Sequence, residues 1–122
     1  MSQALIAIVD DDEMMREAME TLVQSLGYRA STFASAGEFL KSEQVNDTSC
    51  LITDLHMPGL SGIDLQDQLI VRGHSIPIIF ITGYPEDDAR THAIKAGAVG
   101  FISKPFKIEL LSGCIEKALK TT

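Results

Sequence analysis

The sequence predicts an α/β fold in which a doubly wound parallel sheet of five strands is covered by helices on both faces. Two observations predict it: five short apolar runs alternate with five segments of helical periodicity, and the first run is apolar at every position. Strands buried on both faces are apolar throughout, and strand–helix alternation favours parallel pairing. The length of 122 residues suits a single domain, residues 1–122, which could also be the N-terminal part of a longer chain.

The first two strand–helix units are marked by their apolar patterns. Leu5–Val9 predicts a buried strand, and the helix after it ends before Gly27, a residue suited to the left-handed backbone beyond a helix. Residues 28–33 are more polar, which indicates an edge strand. Ser35 is expected to cap a short helix with Glu38 as its capping-box partner. The buried face of the first helix is predicted to comprise Met15, Ala18, Met19, Leu22 and Leu26.

The other three units follow in the same order. Residues 50–53, 76–81 and 99–103 predict the third, fourth and fifth strands. The fourth helix covers residues 86–96 and the third ends near Gly73. The third helix is marked by Ile63, Leu65, Leu69 and Ile70. The last helix is predicted to bury Ile108, Leu111, Ile115, Ala118 and Leu119.

The charge balance restricts the classes of partner. Seventeen acidic residues against ten lysines and arginines give a net charge of −7, which argues against binding nucleic acid or an anionic membrane. No apolar run approaches the roughly 20 residues of a membrane span, and the first residues lack the features of a signal peptide. Cys50 and Cys114 have no metal-type spacing and are expected to be buried thiols. A cytoplasmic protein is expected.

Polar residues directly follow four of the predicted strands. Asp10 and Asp11 follow the first strand, Asp54 the third, Thr82 the fourth and Lys104 the fifth. In a doubly wound sheet, ligands bind beyond the carboxyl ends of the strands. If the first and third strands are neighbours, as in the order 2-1-3-4-5, these five side chains converge on one rim of the sheet.

Clustered carboxylates at such a rim need a compensating cation. Two carboxylates about 4 Å apart repel by roughly 4 kcal/mol at an effective dielectric constant of about 20. An all-oxygen site with access to water suits Mg²⁺. Together with a hydroxyl and an ammonium group, this predicts phosphoryl transfer with Asp54 as the nucleophile. Lys104 would neutralise charge on the transferring group, Thr82 would donate a hydrogen bond to it, and Asp12 is expected to cap the first helix.

Four segments of the chain together resemble the response-regulator receiver family, the phosphoacceptor half of two-component signalling. They are Ile8-Val9-Asp10-Asp11, residues 54–58 with Gly62 following, Ile81-Thr82-Gly83, and Lys104-Pro105-Phe106. The similarity runs from about residue 4 to residue 120, and the last two segments look most like receivers of FixJ-type transcription regulators. The resemblance implies a CheY-like, flavodoxin-like (β/α)5 three-layer sandwich with strand order 2-1-3-4-5.

The resemblance also implies a metal site and an acceptor. Asp54 matches the phosphorylated aspartate. Asp11 and Asp54 match direct Mg²⁺ ligands, with the backbone carbonyl of His56, and Asp10 matches an acid that reaches the metal through water. The metal pair could instead be read one residue later, at Asp11 and Asp12, but in the family the pair directly follows the strand.

Two further roles follow from the same resemblance. Lys104 matches the lysine that pairs with the acceptor aspartate and then with the phosphoryl group. Thr82 and Phe101 match a switch pair, in which the hydroxyl moves toward the phosphate and the aromatic ring turns inward.

The implied partner is a sensor histidine kinase whose phosphohistidine is the donor. The domain would catalyse only its own phosphorylation and dephosphorylation. Phosphorylation would change the face formed by the fourth helix, fifth strand and fifth helix, roughly residues 86–120. This face would control homodimerisation or a C-terminal DNA-binding output domain absent from this chain, and through it transcription.

Three other classes of protein share parts of this pattern. A flavodoxin-like cofactor binder would need a phosphate loop after the first strand, where this chain has three acids. A phosphatase with an aspartyl nucleophile would use Asp10 and Asp12, but the threonine expected two residues later is missing. Dinucleotide binding requires a glycine-rich turn after the first strand, which the sequence lacks.

Overall fold

A computed structural model describes residues 3–84 and 86–120 of the chain. The strands are β1 (Leu5–Val9), β2 (Arg29–Phe33), β3 (Cys50–Asp54), β4 (Ile78–Thr82) and β5 (Gly100–Ser103). The α-helices are α1 (Glu13–Ser25), α2 (Ala36–Lys41), α3 (Gly62–Val71), α4 (Asp87–Lys95) and α5 (Ile108–Lys120). A 3-10 helix at Glu43–Asp47, which the sequence did not predict, connects α2 to β3.

All five strands pair in parallel in the order β2-β1-β3-β4-β5, which confirms the predicted fold. Two separate cores cover the sheet because alternate residues of each strand point to opposite faces. On one face Ile6 and Ile8 pack with residues of α1 and α5 such as Val23 and Ile115. On the other face Ala7 and Val9 belong to the core beneath α2, α3 and α4.

Apolar periodicity misplaced two residues of the predicted buried faces. Ala18 is exposed, whereas Val23, which the pattern did not select, is fully buried in α1. In α5, Leu111, Ile115 and Ala118 are buried as predicted, but Ile108, the first residue of the helix, is 54% exposed. Spacing along a helix fixes a face, but how far the neighbouring layer extends decides which residues of that face are covered.

Local signals at the helix ends were more reliable. Gly27, Gly73 and Gly97 have φ angles of 95°, 82° and 105°, the left-handed conformation that ends a helix. The Ser35 side chain accepts from the Glu38 amide as expected, but the Glu38 carboxylate accepts from the Ala34 amide, one residue before the cap.

Both cysteines are free thiols. Cys50 is fully buried in β3 and burial raises its pKa to about 12, while the partly buried Cys114 also has a raised pKa through burial. Within the described part of the chain, no helix has both the length and the apolar character needed to cross a bilayer.

Candidate functional site

Three acids meet at the carboxyl ends of β1 and β3. Asp10, Asp11 and Asp54 each place a carboxylate oxygen within 4.8 Å of the other two. Because β1 and β3 are hydrogen-bonded neighbours, the residues that follow them share one rim, as the sequence predicted. The residues run from buried to exposed: Asp10 is 5% exposed, Asp54 is half-buried and Asp11 is open to solvent.

The turn after β1 is held by hydrogen bonds between its side chains and nearby backbone groups. The Asp12 amide donates to Asp10 Oδ1 at 2.9 Å, and Arg16 donates from Nη1 to the Asp10 carbonyl at 2.8 Å. Asp12 is the N-cap of α1, and its carboxylate accepts from the amides of Met14 and Met15. The cap therefore occupies Asp12, which supports the interpretation that Asp10 and Asp11, rather than Asp11 and Asp12, face Asp54.

The backbone of Asp54 is supported directly by the start of α3. A Cβ atom added to Gly62 would lie 2.5 Å from the Asp54 carbonyl oxygen, so any larger residue would force the two elements apart. The Gly62 amide donates to the Leu55 carbonyl at 2.9 Å. A complete capping box joins Ser61 and Asp64 in the first turn. Gly62 is thus required by close approach, since its φ angle is not in the left-handed region.

Lys104 reaches this rim from the end of β5. Its Nζ lies 3.8 Å from Asp10 Oδ2, and its amide donates to the Thr82 carbonyl at 2.8 Å. The Lys104–Pro105 peptide bond is cis. Among the described residues, the ion pair of Lys104 is with Asp10, whereas the resemblance implied a pairing with Asp54. Lys104 is still close enough to Asp54 to favour the charged form of that carboxylate. The role predicted for Lys104 stays a prediction.

Burial and mutual repulsion leave the acids poorly compensated. Desolvation is the largest influence on Asp54 and raises its pKa, Lys104 opposes this shift, and Asp10 adds to it. The pKa of Asp10 is also raised, again chiefly by burial, with the Asp12 amide and Lys104 acting in the opposite direction. One lysine does not neutralise three carboxylates, so the rim carries excess negative charge.

The donor set fits a hard divalent cation. Carboxylate oxygens at this separation, one of them exposed, match the ligands that Mg²⁺ prefers and leave positions for water. Asp10, Asp11 and Asp54 would hold the ion, and it would supply charge neutralisation to the oxygens of a transferring phosphoryl group. The role predicted for the His56 carbonyl stays a prediction.

Thr82 closes a tight turn at the end of β4. Its hydroxyl is fully buried, accepts from the Tyr84 amide at 3.0 Å and donates to the Tyr84 carbonyl at 3.2 Å. Phe101, the other residue of the expected switch pair, is partly buried and its ring centroid lies 6.0 Å from that of Phe80. The His56 imidazole is exposed, and its ring centroid lies 6.4 Å from that of Tyr84.

With this geometry in place, comparison with known proteins identifies the class. The family model for the response regulator receiver domain matches residues 6–116, so the chain belongs to that family. It is a receiver domain of two-component signalling, and transcription regulators are among its relatives.

Individual relatives agree with this assignment. The chain is 46% identical over 118 residues to the response regulator protein TmoT of Ectopseudomonas mendocina, covering 97% of this chain and 54% of that protein. It is 34% identical to the transcriptional regulatory protein FixJ of Bradyrhizobium diazoefficiens, covering 94% of this chain and 56% of that protein. The crystal structure of FixJ-N superposes with a TM-score of 0.89 at 35% identity, covering 100% of this chain and 98% of that one. The chain spans about half the length of the curated relatives it matches.

Two polar contacts, one at the site and one between α3 and α4, were not predicted. Arg16 resembles any surface arginine of an amphipathic helix, and only the structure shows its guanidinium bonded to the Asp10 carbonyl. Gln66 lies in the apolar stretch of α3, and its side chain is 2% exposed. The only sign of this contact in the sequence was a glutamine next to apolar residues of the predicted helix, and that pattern does not show which group the glutamine binds.

Proposed function

We propose that Asp54 is the phosphoryl acceptor of this receiver domain and that a phosphohistidine of a sensor histidine kinase is the donor. An Asp54 carboxylate oxygen would attack phosphorus as the phosphorus–nitrogen bond breaks, and the imidazole would leave as the neutral base after taking up a proton. The observation that carries this is the meeting of Asp10, Asp11 and Asp54 within 4.8 Å at the strand ends, with Lys104 beside them.

Each neighbour has a distinct part in this proposal. Asp11, Asp54 and the His56 carbonyl would hold Mg²⁺, and the more buried Asp10 would contribute through water. Lys104 moves from its pairing with Asp10 toward the new phosphoryl oxygens. The same groups would favour attack by water on the acyl phosphate, so the domain catalyses its own dephosphorylation as well.

Thr82 links the phosphoryl group to the rest of the molecule. Its hydroxyl carries one proton, which it donates to the Tyr84 carbonyl. If the Thr82 hydroxyl donates its hydrogen bond to a phosphoryl oxygen instead, it no longer bonds the Tyr84 carbonyl. The segment that leads into α4 then loses this hydrogen bond. Phe101 would follow by turning inward against Phe80. Such a contact can bias the fold only because it differs between the two states.

The α4–β5–α5 face is the proposed output surface. It exposes several large apolar side chains, and such a surface is suited to contact with a second copy of the chain or with a C-terminal DNA-binding domain. These residues are Tyr84 just before α4, Ile94 in α4, and Ile108 and Leu110 in α5. We place the protein in the cytoplasm, where a histidine kinase would present its phosphohistidine.

The acceptor assignment is tested with radiolabelled acetyl phosphate and Mg²⁺. We expect stoichiometric labelling of the wild-type chain and none of Asp54→Asn. Asp12→Asn is the matched control, because asparagine caps a helix as well as aspartate does and Asp12 points into α1. Undiminished labelling of Asp54→Asn would reject Asp54 as the acceptor.

The output surface is tested by light scattering with and without beryllofluoride, a phosphoryl mimic that binds the acceptor carboxylate. We expect the mass to double on addition of beryllofluoride and Mg²⁺, and Ile108→Asp to prevent this. An unchanged mass in the wild-type chain would remove homodimerisation from the proposal and leave the output domain as the partner.

A further inference from the structure

Gln66 forms a buried polar link between α3 and α4, away from the acidic rim. Its side chain is 2% exposed, and Nε2 donates to the Ala93 carbonyl of α4 at 3.1 Å. The outer side of the same helix pair carries a second contact, in which His92 Nε2 lies 3.6 Å from Asp67 Oδ1. Both side chains of that pair are about half exposed, so it contributes little by comparison.

The carboxyl end of α4 is where this link acts. Ala93 is the buried residue of that helix, and its carbonyl accepts from the Ala98 amide at 2.9 Å as well as from Gln66. Next to this turn lies a cavity of about 650 Å³ whose walls include Gln66, Ala96 and Gly97. Because one side of the turn borders open space, hydrogen bonds rather than packing on all sides hold it in place.

The amino end of α4 is held much less firmly. Its N-cap residue, Glu86, makes no side-chain capping hydrogen bond, and Asp87 and Asp88 are exposed. Its contact to the loop after β3 is between exposed side chains, with Glu86 Oε1 3.4 Å from His56 Nε2. Among the described residues, the buried hydrogen bond at the carboxyl end of the helix therefore has no counterpart at its amino end.

Glutamine at position 66 stabilises the fold no better than an apolar residue of similar volume would. Its Oε1 is buried and accepts no hydrogen bond from the described residues. An unsatisfied buried oxygen costs at least as much as a single amide hydrogen bond contributes, so an apolar side chain of similar volume would stabilise the fold equally well. What an apolar side chain would not provide is a directional contact that fixes the Ala93 carbonyl.

We propose that Gln66 is a positioning residue that pins the carboxyl end of α4, so that phosphorylation makes this helix pivot about Ala93 instead of shifting as a whole. The inference rests on the proposed function, in which Thr82 releases the Tyr84 carbonyl and so frees the amino end. The displacement is then largest near Glu86 and small near Ala96.

The pin is tested first without any phosphoryl mimic, by amide hydrogen exchange resolved by NMR. Gln66→Met removes the hydrogen bond and keeps the side-chain length. We expect exchange at Gly97 and Ala98 to rise about fivefold, the factor for one typical hydrogen bond. The urea midpoint is expected to stay at the wild-type value. Gln68→Met is the matched control, since Gln68 lies on the exposed side of the same helix, and it should exchange as the wild type does.

The pivot is then tested with beryllofluoride and Mg²⁺. In the wild-type chain we expect amide shift changes at residues 86–90 and little change at 93–98, and in Gln66→Met we expect the changes to spread through 93–98. Wild-type exchange in Gln66→Met, or equal shift changes along the whole helix of the wild-type chain, would overturn the pin. Absence of any change at the Thr82 and Lys104 amides would instead overturn the proposed function, while exchange in the untreated proteins still decides whether Gln66 anchors α4.

Discussion

The connections that follow β3 and β4 lie side by side on the rim but are built in opposite ways. After β3, Gly62 packs against the Asp54 backbone, Leu55 is buried, and Ser61 closes a capping box. After β4, Gly83 has nothing within 4 Å of the place where a Cβ would lie, and Tyr84 is 76% exposed.

This difference separates two tasks. The acceptor must keep its position while charge builds up beside it, so Asp54 lies on a densely hydrogen-bonded support. The responding segment must adopt a second arrangement at low cost, and the sparse packing around its described residues Gly83 and Tyr84 allows that. Similar strand–loop–helix units can thus serve as a fixed platform or as a moving part, depending on how closely the helix start approaches the strand end.

The largest expected effect contrasts one glycine from each connection. Gly62→Ala should destabilise the protein by about 2–3 kcal/mol, because the new methyl group meets the Asp54 carbonyl and the chain must shift. Gly83→Ala should change stability by less than about 0.5 kcal/mol. Urea unfolding of both variants provides the measurement. Equal effects would show that the two connections are not packed differently.

A second effect concerns the charge that the rigid connection holds in place. Burial raises the pKa of Asp10 and Asp54, so between the ordinary and the raised values the folded chain binds more protons than the unfolded chain. Stability of the metal-free protein contributed by these groups therefore falls as pH rises through that interval, from about pH 4 upward.

Asp54→Asn removes one of these carboxyl groups, so the stability of the variant should fall less steeply with rising pH than that of the wild type. We expect its stability relative to the wild type to increase from pH 4 to pH 7 without metal, and saturating Mg²⁺ to cancel the advantage. Urea midpoints measured across this range test the expectation. Parallel curves of stability against pH for the two proteins would mean that the pKa of Asp54 is not raised in the folded chain.

The smallest expected effect compares the two helix starts. Ser61→Ala removes a capping side chain from α3 and should cost about 1 kcal/mol. Glu86→Ala removes a residue that makes no capping bond at α4 and should cost no more than a few tenths. Differential scanning calorimetry can resolve the two. A larger loss for Glu86→Ala would reverse the assignment of fixed and mobile connections.

Much of this arrangement was predictable from the sequence because the relevant signals are local. Apolar runs located the strands, and strand ends in a parallel sheet share a rim, which brought Asp10, Asp11 and Asp54 together before any coordinates were known. The Asp12 cap and the glycines after the helices also follow from preferences of single residues.

The remainder depends on distances between segments that are remote in sequence. Nothing local indicates that Lys104 pairs with Asp10, or that Gln66 reaches Ala93 across 27 positions of sequence. The reason for Gly62 was also hidden, since a glycine in the loop after Asp54 suggests a turn, whereas here it permits contact between a helix and a strand. The exposure of Ala18 and Ile108 likewise could not be predicted from helical periodicity alone.

The buried thiol of β3 has a practical consequence for all of these measurements. Burial raises the pKa of the Cys50 thiol to about 12, so the thiol stays protonated at neutral pH, and an alkylating dye cannot easily reach it. Once Cys114 is replaced by serine, a cysteine introduced on the outer surface of α4 becomes the single readily labelled position among the described residues. Fluorine or fluorescent reporters can then follow that helix in real time without a wholesale redesign of the chain.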